Sequence, residues 1–242
     1  MGESVQVNRR QLFKYAAAGT AAVGLAGMSS TVRTAVANEN LGILIDYSAG
    51  VPSAAAIANA GYLGAIRYVS DRRPGAEWML GKPMRASEAE ALMAAGLSVV
   101  SCYQFGKADT ADWHGGLLAG KEHAERGWEL HLAAGGPENR PIYASIDDNP
   151  TPLEFASMVA PYLAGWQSVI GRENVGVYAN SGTIELASKA GLGSWYWQHD
   201  WGTPEGYVHP AAHLHQYEID KRSVDGVGID LNAILKPDYG QW

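Results

Sequence analysis

The 242-residue chain has a single cysteine, Cys102. No disulfide can form within it, so stability has to come from packing. Cys102 sits inside the apolar run "LSVVSCYQF" (97–105), where a thiol reads as a buried, inert hydrophobe rather than a nucleophile. Basic residues are scarce as well, 18 against 25 acidic ones, for a net charge of -7. That balance argues against nucleic acid as a partner. No Gly-x-Gly-x-x-Gly follows an early strand, which removes the usual nucleotide fingerprint. No Gly-x-Ser-x-Gly elbow is present, so Ser181 in "NSGT" reads as a loop or helix-cap residue. His213 and His215 in "HLH" could share one strand face, but no further His or Cys cluster completes a metal site. No metal and no cofactor are expected.

What the N-terminus does have is "VNRRQLFKYAAAGTAAVGLAGMSS". Arg9 and Arg10 precede Leu12, Phe13 and Lys14, and an Ala/Gly-rich run follows, too short and too rich in glycine to span a bilayer stably. "AVA" (35–37) then offers a small-x-small cleavage pattern. Residues 1–37 are predicted to be a twin-arginine export signal read by the twin-arginine translocase. The mature protein would be exported and extracytoplasmic, with no stable membrane span after cleavage. Residues 38–242 would form one domain with a sizeable core. Losing Arg9, Arg10, Lys14, Arg33 and Glu3 would move its net charge from -7 to -10.

Within that domain short apolar runs alternate with amphipathic ones. Strands are predicted at 41–48, 64–70, 97–105, 141–148, 174–180, 194–201, 212–218 and 226–232, with helices between most of them. Eight strands in this alternation predict a parallel (β/α)8 barrel of the α/β class, irregular in its last units, where the connections are too short for full helices. A doubly wound open sheet is the competing arrangement.

A barrel carries its chemistry at the C-terminal ends of its strands. Asp46, Asp147, Asp148, Asp200, Glu218 and Asp230 all fall there. Strand period two puts Tyr143, Ser145 and Asp147 on one face and the apolar Ile142, Ala144 and Ile146 on the other. Asp147 is therefore expected to point into the mouth, and Asp148 to be a rim or capping residue. The same reasoning turns Asp230 inward, close to Asp46 if the barrel closes. Clustered carboxylates shift one another's ionisation, which suits glycoside hydrolysis, where one carboxyl group donates a proton and another attacks or stabilises. Asp46, Asp147, Asp230, Asp148 and Glu218 are the candidate catalytic residues. Sugar sites also want flat apolar faces and amide or hydroxyl partners. Tyr103, Tyr178, Trp195, Trp197, Trp201, Gln216 and Tyr217 lie at or near strand ends, and Arg67 is read as an inward arginine that could pair with the acids.

The series "LIDYSAG", "AIRYVSDRRPG", "SCYQFG", "IYASIDDNPT", "GVYANSGTIE", "WYWQHDWG", "HLHQYEID" and "VGIDLN" resembles the glycoside-hydrolase-like barrel family of mycobacteria and actinobacteria, whose members include twin-arginine-exported envelope proteins. That family is similar in fold to the family 25 lysozymes. The resemblance implies a barrel, an extracytoplasmic location and a cell-envelope polysaccharide such as peptidoglycan as partner. It matches Asp46 to the lysozymes' aspartate on strand one, Asp147 to the first acid of their Asp-x-Glu on strand four, and Asp230 to an aspartate on the last strand. Their proton-donor position falls on Asn149, which cannot act as an acid. Asp148 or Glu218 would then have to donate. Two functions follow: an exported glycoside hydrolase-like enzyme, or a glycan-binding protein that keeps the groove without the donor.

Overall fold

The structure, a computed structural model, describes residues 40–242; the predicted export signal and its cleavage site lie outside the described residues. The elements run β1 (Ile43–Asp46), α1 (Ala54–Asn59), β2 (Gly64–Tyr68), α2 (Ala86–Ala94), β3 (Ser98–Tyr103), α3 (Gly116–Ala133), β4 (Ile142–Ser145), α4 (Pro152–Glu154), a π-helical turn (Phe155–Val159) leading into α5 (Ala160–Ile170), β5 (Val175–Ala179), α6 (Ser181–Lys189), β6 (Trp195–His199), β7 (Leu214–Val224) and β8 (Val227–Ile234). The eight strands close into a barrel in sequence order.

The expectation of an all-parallel sheet needs one correction. β1 to β7 run parallel, but β8 is antiparallel to both β7 and β1. The cause is local. Asp225 and Gly226, at φ +50° and +74°, form a two-residue hairpin turn between two runs of strand. An Asp-Gly pair with both residues at positive φ suits this turn and leaves no room for a crossover helix. Asp225 also accepts from the backbone N–H and hydroxyl of Ser53, tying the hairpin to the start of α1.

Strand alternation sorts the side chains into two cores. Ile45, Ala65, Val99, Ile142, Ala144, Val175 and Val177 pack outward against the helices. Leu44, Ile66, Val100, Cys102, Tyr143, Tyr178, Trp197, Leu214 and Ile234 fill the lumen. The lumen is crowded: a Cβ at Gly176 would stand 2.6 Å from the Tyr143 ring, so only glycine lets that ring lie flat against β5. Tyr143, whose hydroxyl donates to the Tyr239 carbonyl, and Trp197 thus make a solid floor beneath the mouth. The helix starts above it are capped as their sequences suggest. Thr151 and Glu154 form a capping box with Pro152 in the first turn, and Asn180 caps α6 by accepting from Thr183.

Candidate active site at the barrel mouth

Asp46 and Asp230 are direct register partners on the antiparallel pair β1–β8, which sets both on the inner face. Asp46 is 3 % exposed, and its Oδ2 accepts from Gln216 Nε2 (2.8 Å) and Asn232 Nδ2 (2.9 Å). Gln216 Oε1 accepts from the Tyr178 hydroxyl (2.6 Å), and Asn232 Oδ1 from Trp197 Nε1 (2.8 Å). Groups on β1, β5, β6, β7 and β8 therefore form one polar chain across the lumen. Asp230 also accepts from the Asp220 N–H, at a residue with φ +53°, and so clamps the base of the hairpin.

Asp147 extends the inner face of β4. Its Oδ2 takes Lys107 Nζ at 2.6 Å and Gln104 Nε2 at 2.8 Å, both from the loop after β3. Lys82, on the loop after β2, is buried; its Nζ donates to the Gln104 carbonyl (2.7 Å) and lies 3.9 Å over the Tyr68 ring. Burial pushes its ammonium down to about 8. His199 closes the side formed by β6, stacked on Trp201 with ring centroids 3.7 Å apart and tilted from Tyr178 at 5.0 Å. Burial holds its imidazole down to about 4, against the pull of Asp147, so it is neutral at pH 7. The Tyr178 phenol is held well above its usual range, first by burial, then by Asp147, Asp46, Tyr68 and Asp230. The carboxylates of Asp46, Asp147 and Asp230 thus all act on one phenol.

The profile of the Rv2525c-like, glycoside hydrolase-like domain family matches residues 55–234. The chain belongs to this family. It is 59 % identical over 239 residues to the Mycobacterium tuberculosis protein Rv2525c, a candidate peptidoglycan hydrolase by name, covering 98 % of this chain and all of that one. A crystal structure of the M. tuberculosis Tat-secreted protein Rv2525c in complex with L-tartrate shares 63 % identity and a TM-score of 0.83, over 84 % of this chain and 99 % of that one. The lysozyme from Streptomyces coelicolor superposes with a TM-score of 0.54 at 17 % identity, over 80 % of this chain and 92 % of that one, a likeness of fold alone.

In this Rv2525c-like barrel the residues singled out in the sequence divide into two groups. Asp46, Asp147, Asp230, Tyr178, Trp197 and Gln216 come together at the mouth, although Trp197 is floor rather than an open platform. The others lie elsewhere. Arg67 points outward, not inward: Ile66 takes the inner position, and the fully buried Arg67 pairs with Glu88 of α2. Tyr103 also faces the helices, against His123 and Trp166. Glu218 follows a bulge at Tyr217, pairs in register with the outward Leu231, and binds Arg222 at 2.5 Å. The bulge has turned it away from the mouth. Tyr217 itself is exposed beside His215. Asp148 folds its carboxylate back onto the Asn149 N–H (2.8 Å), as a rim residue would. One terminal atom of the Asn149 carboxamide lies 2.9 Å from both Asn180 Nδ2 and the Trp201 carbonyl: as oxygen it accepts from Asn180, and as nitrogen it donates to Trp201. Its carboxamide lies where a Cβ on Gly202 would be, so it braces the turn after β6. His213 accepts from the Tyr196 N–H and His215 pairs with Asp200, two separate engagements. Among the described residues no group of three His, Cys, Asp or Glu is placed to hold a metal.

Sequence reasoning passed over Gln104, Lys107, Lys82, His199 and Asn232. His199 and Asn232 had a signal: each lies two residues beyond a chosen inward residue on its strand, Trp197 and Asp230. Gln104 had one as well, two residues beyond the inward Cys102 in the run predicted as a strand, whereas Lys107 and Lys82 lie in loops, where no period applies.

Proposed function

We propose that this is an exported, glycoside hydrolase-like protein of the cell envelope whose barrel mouth engages a peptidoglycan-type glycan. The observation that carries this reading is geometric: Asp46 and Asp230 are register partners on the inner face, Asp46 is joined to Tyr178 through Gln216, and Asp147 extends the inner face of the β4 run, in a mouth edged by Trp201. Export through the twin-arginine translocase is supported by the Arg9–Arg10 segment, by a match to Rv2525c that spans 98 % of the chain, and by the description of Rv2525c as Tat-secreted.

In this reading Asp147 is the nucleophile or electrostatic stabiliser. An ammonium at 2.6 Å and an amide N–H at 2.8 Å both hold its Oδ2, an arrangement that suits charge stabilisation. Asp46 and Asp230 orient the mouth from the opposite wall. A second reading, a glycan-binding protein without turnover, is favoured by Asn149, an amide at the donor position that is engaged in bracing a turn.

The test is co-sedimentation of the purified protein with insoluble peptidoglycan, with reducing ends measured in the supernatant. Asp147→Asn is expected to weaken binding about tenfold or more, in line with the loss of a charge-assisted contact. Equal binding by the variant would remove the mouth as the site. Reducing ends released by wild type would favour turnover, and binding without release the second reading.

A further inference from the structure

Buried polar atoms are nearly always hydrogen-bonded, so each exception calls for an explanation. Among the described residues three exceptions meet at the mouth: Ser145 Oγ, Asp147 Oδ1 and His199 Nδ1. Ser145 and Asp147 are two residues apart on the inner face of the β4 run. His199 approaches from β6, with its Nε2 3.5 Å from the carbonyl of Ile146, the residue between them. Asp147 supplies the strongest charge attraction acting on that ring. Above the trio lie two part-exposed side chains. Trp201 stacks flat on His199, and Lys107, bound to the other oxygen of Asp147, holds its Nζ 6.0 Å from the Trp201 ring.

We propose that Ser145, Asp147 and His199 form a subsite for a neutral sugar hydroxyl, covered by Trp201 and Lys107 and opened when the glycan enters. This rests on the reading of the mouth as a glycan site. The chemistry selects the ligand. An anion would be repelled by Asp147. A cation would have to displace Lys107 from the same carboxylate. A hydroxyl both donates and accepts: it can donate to Asp147 Oδ1 and accept from the Ser145 hydroxyl or from an imidazole N–H. The neutral state of His199 suits it to either role, since one ring nitrogen carries a proton and the other does not. The planar face of Trp201 beside these edges offers the apolar surface a sugar ring needs.

The test uses the full chain, insoluble peptidoglycan as the probe, and the variants Ser145→Ala and His199→Phe. The phenyl ring keeps the stacking with Trp201 and the tilted contact with Tyr178 and removes the ring nitrogens. Each variant is expected to bind roughly tenfold more weakly while its Tm stays within a few degrees of wild type, because Ser145 Oγ has no partner in the folded protein and the His199 ring loses only a long contact, Nε2 to the Ile146 carbonyl at 3.5 Å. A variant that loses binding only in step with a falling Tm would mark the trio as structural and overturn the proposal. Wild-type binding by both variants, with Asp147→Asn impaired, would overturn the subsite and leave the mouth standing. Failure of wild type itself to bind would overturn the glycan reading, and the subsite with it.

Discussion

Two buried polar clusters flank the same sheet and differ in how completely they are satisfied. On the outer side, Arg67 donates to Glu88 (2.5 Å) and to the carbonyls of Tyr47 (2.7 Å) and Gly81 (2.6 Å), and its guanidinium lies 3.9 Å from the centre of the Tyr47 ring. The Tyr47 hydroxyl completes the set on Glu88. On the inner side, the Asp147 cluster keeps three buried atoms without partners. A buried charge with its hydrogen bonds made holds a structure together; a buried cluster with bonds still to make is suited to a ligand. The outer cluster pins β2, α2 and the loop between them, and the inner one has capacity to spare.

The largest test of this contrast is Arg67→Met. It leaves Glu88 buried without its cation and should cost about 3–5 kcal/mol, a fall in Tm of roughly 10 °C, with peptidoglycan binding by the folded fraction unchanged. Impaired binding at full stability would merge the two clusters into one site.

A smaller effect comes from pH. Burial holds His199 and His213 down to about 4, whereas an unfolded histidine takes up its proton near 6.5. Stability from these groups is fully present above about pH 6.5 and is lost as pH falls toward 4, because only the unfolded chain gains the protons. Each can contribute up to roughly 3 kcal/mol of acid destabilisation. Urea midpoints measured from pH 7.5 to 4.5 should fall, and His199→Phe should flatten the slope by about half. An unchanged slope would show that the inner cluster admits the charged imidazole.

The smallest effect is expected at Glu218, which belongs to neither cluster. Its pair with the exposed Arg222 contributes little, so Glu218→Gln should shift stability by less than about 0.5 kcal/mol and leave binding intact. A marked loss of binding would return Glu218 to the mouth.

The sequence alone was enough for whatever depends on near neighbours in the chain. Period two separated Asp147 from Asp148 and the lumen from the outer core. Thr151–Pro152 marked a helix start, and eight alternating runs implied the barrel. Asp225–Gly226 is not read as a turn, although an Asp-Gly pair favours the positive φ found at both positions. Which polar group meets which was decided only by the closed structure. Arg67 reads as inward until α2 brings Glu88 to the outer face, and Glu218 reads as inward until a bulge shifts the register. Lys107 reaches Asp147 across about 40 residues of chain, from a loop with no periodicity to betray it. The physical reason is range: backbone preference and alternation act over a few residues, whereas the balance of a buried charge is set by whatever strand, helix or loop the closed barrel brings beside it.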